Sequence, residues 1–463
     1  MFESLGGPGL VAAMAAAQRD ERSATARRVL AAGRLVQVRA GEAVDEMERL
    51  NWCIDNWEQV AAEVGAELGI SRNRASSQMN YGVELLERLP RLGAAFAAGG
   101  VEFRVVRDIV FRVGLITDPA MLAKIDATLA ERAATWNAYS PARVKQVIDR
   151  YVVALDPAAL RVARSAQDDR HITFGECENG MVRFWGALRA ADAAILDRTL
   201  DERASTTCAT DTRTTDQRRA DALTALAAGP VQRDCECGAA DCPCRTAAPA
   251  GAVVIHVLAE AATLTGGDTP GYLPGFGPLP AEAVRDLAGR ARIRELRGPA
   301  DLKAEPRYRP SAALADFIRC RDLTCRFPGC DKPAEVCDFD HTVPWGLGGP
   351  THPSNIKLLC RLHHLVKTFL SGWTDTQYPD GMVTWTSPSG RTYATTPGGA
   401  LFFPQLATPT GILNLHARQE DSSPGRTLRM PTRRRPRSEE RAARIAWERG
   451  LNERRWAEYP PPF

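Results

Sequence analysis

Apolar residues recur at helical spacing through the first 160 residues, and strand signals are few there. Residues 121–136 and 140–155 each place apolar side chains three and four positions apart. The second segment begins with Ser-Pro, a common start of a helix. The pattern therefore predicts a mainly helical region over residues 1–160.

One part of this region, residues 57–89, predicts two helices with a break near Gly69 and with Ser71 as the N-cap of the second helix. This layout is typical of a helix-turn-helix, in which the second helix reads DNA and Ala75 would face the first helix. The residues that would contact DNA are Arg72, Asn73 and Arg74. The alternative is a helical hairpin that only packs.

Residues 161–305 combine strand and helix patterns, which indicates an α+β segment. Alternation around a turn at residues 178–180 predicts a β-hairpin, and two helices and a strand-like stretch, residues 252–258, follow. Two Cys-x-Cys pairs lie in between, formed by Cys235, Cys237, Cys242 and Cys244. Four thiolates on a short loop predict a structural zinc knuckle; the alternative is a metal-free loop of reduced cysteines.

Residues 306–405 predict a second zinc site. Cys325 and Cys330 flank a tight Pro-Gly turn, and Cys360 and His363 lie three apart on one face of a predicted helix. Together they make a closed Cys₃His set, whose role would be structural. Two short strands precede the helix, so the local order predicts a ββα finger braced by zinc.

Composition sets limits on the class of protein. The chain has 463 residues, 44% of them hydrophobic and 25% charged, which is ordinary for a soluble protein of several domains. No apolar run reaches the roughly 18 residues that span a bilayer, so we expect a cytoplasmic protein without a membrane partner. Clustered cysteines in a reducing compartment favour metal binding over disulfides.

The net charge of +3 says little by itself, but arginines concentrate in residues 406–463. This segment predicts a flexible, poorly ordered tail that either follows a DNA backbone or is simply solvated. Beside the predicted finger, Arg319, Arg321 and Arg326 either hold a phosphate backbone or belong to a solvated face.

Four of the seven histidines lie between residues 338 and 367. The order His341, Asn355, His364, with thirteen and then eight residues between them, resembles the motif of the HNH endonucleases, whose fold is the ββα-metal finger. The zinc-braced form usually has Cys-x-x-Cys twice, whereas the finger here has Cys-x₄-Cys and then Cys-x-x-His. The core resemblance covers about fifty residues.

The resemblance implies a metal-dependent DNA endonuclease. His341 would be the general base, Asn355 would brace the loop, and Mg²⁺ or another divalent ion would bind Asp340 and His364. We further predict that Lys367 contacts a phosphate. Strand alternation places neighbouring residues 340 and 341 on opposite faces, so we expect a distortion at the strand end.

Most of residues 1–405 also resembles a bacterial family of HNH-signature proteins whose upstream domain has no assigned function, with some members in repeats of mobile-element type. The motifs that carry this resemblance are RRADAL, PGFGPLP and CRFPGC, with the histidine segment after them. The expected protein is a multidomain α+β chain that cuts duplex DNA. The alternative is a DNA-binding or mobile-element accessory protein with little or no cleavage. The sequence does not predict the oligomeric state.

Overall fold

The chain forms two compact units in a computed structural model, one made of residues 1–162 and 295–463, the other of residues 163–294. The structure describes residues 2–42, 49–161, 170–188, 190–206, 211–227, 256–274, 276–289, 291–413 and 429–458. It is a mixed α+β fold in which helices predominate and the sheets are small. None of the described helices is both long enough and apolar enough to cross a membrane.

The N-terminal part of the first unit is helical, as predicted. Its helices are α1 (Gly7–Glu42), α2 (Asn56–Leu68), α3 (Arg72–Glu87), α4 (Pro90–Ala97), α5 (Phe103–Arg112), α6 (Pro119–Arg132) and α7 (Pro141–Leu155). Helices α1 and α3 approach closely at two glycines, because a Cβ atom on Gly33 would lie 2.3 Å from the carbonyl carbon of Gly82. Buried aliphatic and aromatic side chains of α3 to α7 form one core beside this contact.

The two-helix layout predicted around Gly69 is confirmed. Helix α2 ends at Gly69, whose φ of 60° is the left-handed conformation that glycine adopts without strain, and Ser71 is the N-cap of α3. Ala75 is fully buried in a cluster with Val60 and Val64 of α2, so it faces the first helix as expected.

The second unit contains the predicted hairpin. Strands β1 (His171–Glu178) and β2 (Met181–Ala187) pair in antiparallel fashion, and Asn179 and Gly180 both have positive φ, as a tight hairpin turn requires. The predicted helices follow as α8 (Ala190–Ser205) and α9 (Thr215–Ala227). The unit ends with α10 (Ala261–Leu264), β3 (Gly271–Leu273), β4 (Gly277–Leu279) and α11 (Ala281–Ala288). Cys235, Cys237, Cys242 and Cys244 lie outside the described residues.

The C-terminal part of the first unit holds the segment predicted as a finger. Helix α12 (Ala312–Asp322) leads to strands β5 (Cys337–His341) and β6 (Ile356–Cys360), then to helix α13 (Arg361–Phe369). β5 and β6 are antiparallel partners, from Cys337 opposite Cys360 to His341 opposite Ile356. A three-stranded sheet follows: β7 (Thr374–Gln377), β8 (Val383–Thr386) and β9 (Thr392–Thr395). The predicted strand–strand–helix order is therefore present.

This segment does not pack alone. Ala62 and Ala66 of α2 share a buried cluster with Phe327, Leu359 and Trp385 of the C-terminal part, and Met430 joins the same cluster. Burial of a common apolar surface holds the helical region and the finger together in the first unit.

The prediction of a poorly ordered tail is wrong for residues 429–458. Residues Arg437–Glu458 form helix α14, and its cationic side chains pair with acids of the N-terminal helices. Arg437 bonds Asp55 at 3.0 Å and Glu58 at 2.7 Å, and Arg449 bonds Asp156 at 2.7 Å. Part of the arginine content of this segment therefore forms internal ion pairs, which the composition alone did not distinguish from a solvated tail.

Candidate metal centre and active site

The four predicted ligands of the Cys₃His set converge on one point. The Sγ atoms of Cys325, Cys330 and Cys360 and a ring nitrogen of His363 all lie within 4.8 Å of one another. The tight turn after α12 supplies two of them, and the start of α13 supplies the other two. The set could hold a metal ion such as zinc.

The distances within the set suit tetrahedral coordination. Sγ of Cys330 and Sγ of Cys360 are 4.0 Å apart, and Nδ1 of His363 lies 3.3 Å from Cys360 Sγ and 3.5 Å from Cys325 Sγ. Zinc–ligand bonds of about 2.3 Å to sulfur and 2.0 Å to nitrogen separate two sulfurs by about 3.8 Å and sulfur from nitrogen by about 3.5 Å. The geometry of the thiols and the imidazole therefore fits zinc.

Contacts within and around the Cys₃His set favour the binding of a cation. Hydrogen bonds from Cys325 and Cys330, supported by His363, outweigh burial and lower the pKa of Cys360 strongly, whereas burial raises the pKa of Cys325. The ring of His363 stacks on Phe327, with centroids 4.0 Å apart, which holds Nδ1 towards the sulfurs. A bound cation would favour the thiolate form of the remaining thiols.

Cys337 lies next to the set without belonging to it. It is the cross-strand partner of Cys360, but its Sγ lies 3.3 Å from the carbonyl oxygen of Pro333. Its thiol donates to that carbonyl and also lies close enough to Cys325 to help raise the pKa of the Cys325 thiol.

Asp340, the acid predicted to hold a divalent ion, is buried in a network of ion pairs. Its Oδ2 accepts hydrogen bonds from the ammonium groups of Lys357 and Lys367, each at 2.7 Å. Both lysines also reach Asp375 of β7, at 2.5 Å and 3.3 Å. Burial alone would raise the pKa of Asp340, but the two lysines outweigh it and lower the pKa to about 2. The carboxylate is therefore ionised at neutral pH.

The other oxygen of Asp340 faces His364. Asp340 Oδ1 and His364 Nε2 are 3.6 Å apart, and His364 Nδ1 lies 3.0 Å from Asp338 Oδ2. Because a carboxylate only accepts hydrogen bonds, Nδ1 of the neutral ring carries the proton and Nε2 presents its lone pair to Asp340. Metal-binding imidazoles commonly have a carboxylate behind them in this way. Asp340 and His364 are thus compatible with a divalent ion between them.

The ammonium of Lys367 is bound inside the protein, so the predicted phosphate contact is not what this structure shows. Besides Asp340, its Nζ donates to the carbonyl oxygens of His341 at 2.8 Å and Thr342 at 3.3 Å. The side chain is only 12% exposed. Lys367 therefore ties α13 to the end of β5.

The predicted base, His341, lies at the end of β5 between aromatic rings. Tyr308 stacks on its imidazole with centroids 5.2 Å apart, and Trp345 packs edge-on at 5.9 Å. Its Nε2 is 3.0 Å from Thr351 Oγ1. Burial lowers the pKa of His341 to about 4, with Asp340 opposing this effect. The imidazole is therefore neutral at pH 7.

The distortion expected at the end of β5 is absent. Strands β5 and β6 keep their register through His341 and Ile356, because Asp340 and its cross-strand partner Lys357 are joined by an ion pair on the same face. Asp340 therefore turns towards α13 and β7, while His341 turns towards Tyr308. The two remain electrostatically coupled, since Asp340 and His364 both affect the pKa of His341.

Asn355 joins the two ends of the loop between β5 and β6. Its Oδ1 accepts from the backbone N–H of Val343 at 2.8 Å, and its Nδ2 donates to the carbonyl oxygens of Val343 at 3.1 Å and Pro350 at 2.9 Å. The side chain is fully buried. This arrangement is compatible with the bracing role expected of Asn355.

The three residues predicted to contact DNA differ in exposure. Arg72 is committed to an ion pair with buried Glu58 of α2, whereas Asn73 and Arg74 are exposed. The finger lies against this turn, since a Cβ atom on Gly329 would be 2.8 Å from the carbonyl oxygens of Gly65 and Ile70. A cleft of about 470 Å³ separates Arg74 from the Cys325–Cys330 turn.

Arg321 and Arg326 fit neither predicted alternative. They are 1% and 2% exposed, and both pair with the fully buried Asp322. Arg321 also donates to the carbonyl oxygens of Pro353 and Ile356, so it supports the loop before β6. Arg319 is exposed, as the solvated-face alternative predicts, and its guanidinium lies over the ring of Phe339.

Several residues around Asp340 and His341 were not predicted from the sequence. Asp338 had a signal, because it shares a strand face with Asp340 at a spacing of two. Lys357 needed the exact strand register, Asp375 comes from a separate sheet, and Thr351 is an ordinary loop residue in the sequence.

Together, the fold and the site define an α+β protein in which the turn after α12 and the start of α13 carry a Cys₃His cluster beside a buried Asp–Lys–His network. The chain belongs to the family described as "Domain of unknown function (DUF222)", whose model matches residues 12–322. That match ends before the first cysteine of the cluster. No solved structure matches the chain.

Three similar proteins come from Mycobacterium tuberculosis. The uncharacterized proteins Rv2100 (strain H37Rv) and MT2160 (strain CDC 1551) are each 44% identical to the chain, over 98% of it and 90% of their own length. The uncharacterized protein Rv3776 (strain H37Rv) is 43% identical, over 98% of the chain and 91% of its own length. These similarities extend through the finger as well as the family region.

Proposed function

We propose that this protein is a metal-dependent DNA endonuclease of the HNH type, acting on the phosphodiester bonds of duplex DNA. The observation that carries the proposal is the adjacent pair Asp340 and His341. His341 is a neutral, partly enclosed imidazole. Asp340 directs Oδ1, the oxygen that the lysines leave free, towards His364. The spacing of His341, Asn355 and His364, and the adjoining Cys₃His cluster, support the same class.

In the proposed reaction, His341 takes a proton from water while the water oxygen bonds to phosphorus. The bond from phosphorus to the 3′-oxygen breaks, and that oxygen takes a proton from solvent. A neutral imidazole can accept the proton at pH 7, and its low pKa keeps it unprotonated well below that pH. Bound by Asp340 and His364, Mg²⁺ or a similar ion would supply Lewis-acid stabilisation of the phosphate and the leaving oxygen.

The Cys₃His cluster would bind Zn²⁺ in a structural role, because four protein ligands leave no position for substrate. Free thiols of this kind suit a reducing compartment, so we place the protein in the cytoplasm.

A specific observation favours a second candidate, a DNA-binding or mobile-element accessory protein with little or no cleavage. Two lysine ammoniums already lie 2.7 Å from Asp340 Oδ2. They balance the carboxylate without a metal and weaken its attraction for a divalent ion.

The experiment incubates full-length protein with supercoiled plasmid, with and without Mg²⁺ or Mn²⁺. The compared chains are wild type, His341→Ala and, as a matched control, His256→Ala, which removes an exposed histidine of the second unit. We expect metal-dependent nicking or linearisation by wild type and the control, and a loss of about 10²- to 10⁴-fold in His341→Ala.

Equal products from wild type and His341→Ala would exclude the nuclease mechanism. Plasmid binding without cleavage by any of the three chains would select the accessory-protein candidate. Equal zinc content in the three chains would show that the finger is intact in all of them.

A further inference from the structure

The imidazole of His341 is held by a threonine outside the histidine motif. Thr351 Oγ1 is 3.0 Å from His341 Nε2, and both residues are buried. Thr351 is itself fixed by backbone contacts, because its carbonyl oxygen accepts from the N–H of Glu305 at 2.9 Å. The segment before α12, residues 305–308, therefore contacts both Thr351 and the ring of His341.

The direction of the Thr351–His341 hydrogen bond follows from the other contacts of the hydroxyl. Thr351 Oγ1 also contacts the carbonyl oxygens of Arg307 and, at 3.3 Å, of Tyr308. Carbonyl oxygens cannot donate, and a hydroxyl has a single proton, which is therefore committed to them. In the contact with His341, the donor must be Nε2.

A neutral imidazole that donates from Nε2 has its lone pair on Nδ1. Among the described residues, no hydrogen bond to His341 Nδ1 is present, so that nitrogen is left for a water molecule. Tyr308 stacks on the ring at an interplanar angle of 14° and limits its rotation. Thr351 and the segment Glu305 to Tyr308 therefore fix both the orientation and the tautomer.

We propose that Thr351 is a positioning residue that holds His341 in its Nε2–H tautomer, so that Nδ1 is the atom that receives the proton from water. The kinetic part of this inference rests on the nuclease function proposed above; the tautomer itself does not. Because residues 305–308 lie within the DUF222 match, the base of the finger would depend on a segment of the upstream family region.

The tautomer can be measured directly on the full chain. With ¹⁵N-labelled histidine, two-bond ¹H–¹⁵N spectra at pH 7 distinguish Nε2–H from Nδ1–H rings, and His341→Gln assigns the signal. We expect the Nε2–H pattern in wild type and in Thr351→Ser, which keeps the hydroxyl, and a shift towards a tautomer mixture in Thr351→Val. An Nδ1–H ring in wild type, or a Thr351→Val spectrum identical to that of wild type, would overturn the proposal.

Plasmid cleavage provides the second readout. We expect kcat of Thr351→Val to fall by about 10- to 100-fold with KM nearly unchanged, and Thr351→Ser to stay within about threefold of wild type. Thr374→Val, which replaces an exposed threonine of β7, is the control for the loss of a hydroxyl. Wild-type kcat in Thr351→Val contradicts the positioning role.

The two proposals fail in different ways. If wild type cleaves nothing, the nuclease function falls, while the nitrogen spectra still decide whether Thr351 sets the tautomer. Should Thr351→Val lose its zinc and unfold, the comparison of Thr351→Ser with wild type and the wild-type tautomer remain decisive.

Discussion

The two candidate cation sites of the finger share helix α13, which provides His363 to one and His364 to the other, yet their electrostatics are opposite. In the Cys₃His cluster, the ligand atoms contact mainly one another, and Cys360 is the thiol that favours the charged form. At Asp340, two ammonium groups already occupy one carboxylate oxygen. The first site could hold a cation such as zinc without competition from a neighbouring ammonium, whereas the charge of the second is nearly balanced by the protein itself.

This difference predicts different metal affinities. The three carboxylates of the second network, Asp338, Asp340 and Asp375, meet two lysine ammoniums and one arginine guanidinium, so its formal charge is about zero before any ion binds. A divalent ion there has to compete with the lysines, whereas an ion among the thiols does not. We therefore expect tight, permanent zinc in one site and weak, exchangeable Mg²⁺ in the other.

The largest effect is expected from Cys360→Ser. The change removes one ligand of the closed set, and the apparent binding energy of structural zinc, about 10 kcal/mol or more, is also folding energy. Zinc measured by mass spectrometry should fall by one ion per chain, and the melting temperature should drop by more than about 10 °C.

Cys337→Ser is the matched control, because Cys337 lies opposite Cys360 but bonds a backbone carbonyl. It should keep both its zinc and its melting temperature. A Cys360→Ser chain that retains the same zinc content as wild type would contradict the assignment of the ligand set.

The second prediction concerns Lys357→Met. Lys357 is fully buried between Asp340 and Asp375, so its loss leaves a single ammonium for two buried carboxylates and should cost about 3–5 kcal/mol of stability. The same loss removes a competitor of the divalent ion. Mg²⁺ should therefore raise the melting temperature of the variant more than that of wild type.

Lys303→Met, at an exposed lysine, serves as the control and should leave stability unchanged. If Mg²⁺ raises the melting temperatures of wild type and Lys357→Met equally, then the ion does not bind at Asp340.

The third prediction follows from the low pKa of Asp340. Its folded value of about 2 lies below its ordinary value of 3.8, so this carboxylate stabilises the fold above pH 3.8. That contribution, about 2 kcal/mol, is lost as the pH falls from about 4 to about 2. Urea unfolding of wild type across this range should show a steeper acid loss than Asp340→Asn.

Exposed Asp331 provides the control, and Asp331→Asn should lose stability with the same slope as wild type. Because acid removes zinc from every chain alike, only the difference in slope reports on Asp340. Identical slopes in wild type and Asp340→Asn would refute the buried ion-pair network.

The same contrast explains what the sequence could predict. Two of the candidate metal ligands lie within one six-residue turn and two within one helical turn, so local spacing was enough to predict the cluster of Cys325, Cys330, Cys360 and His363. The helices and the hairpin at Asn179 likewise follow from local periodicity and turn chemistry.

The charge network depended on contacts that no local pattern encodes. Asp375 belongs to a sheet after the finger, and Lys357 meets Asp340 only because of the register of β5 and β6. Two predictions made from arginine residues were wrong for the same reason. Arg321 is buried in an ion pair with Asp322, and Arg437 pairs with Asp55, which lies far away in the sequence. A charged side chain in the sequence does not reveal its partner.

The smallest expected effect is that of Asp338→Asn. The amide oxygen of the new side chain could still accept the hydrogen bond from His364 Nδ1, but it would lack the negative charge that makes the opposite nitrogen a better ligand. We expect Mn²⁺ affinity, measured by electron paramagnetic resonance, to fall by about tenfold. His364→Ala removes a ligand and so gives the resonance signal expected without Mn²⁺ binding at Asp340. Glu335→Gln, which changes an exposed carboxylate nearby, should bind Mn²⁺ like wild type.

Zinc content should stay the same in Asp338→Asn, because Asp338 bonds His364 and not His363. Unchanged zinc content together with a lower Mn²⁺ affinity would show that the two metal sites respond independently to this substitution, although His363 and His364 are adjacent in the chain. Unchanged Mn²⁺ affinity would instead mean that His364 does not need its carboxylate partner. The charge balance at Asp340 would then be set by the lysines alone.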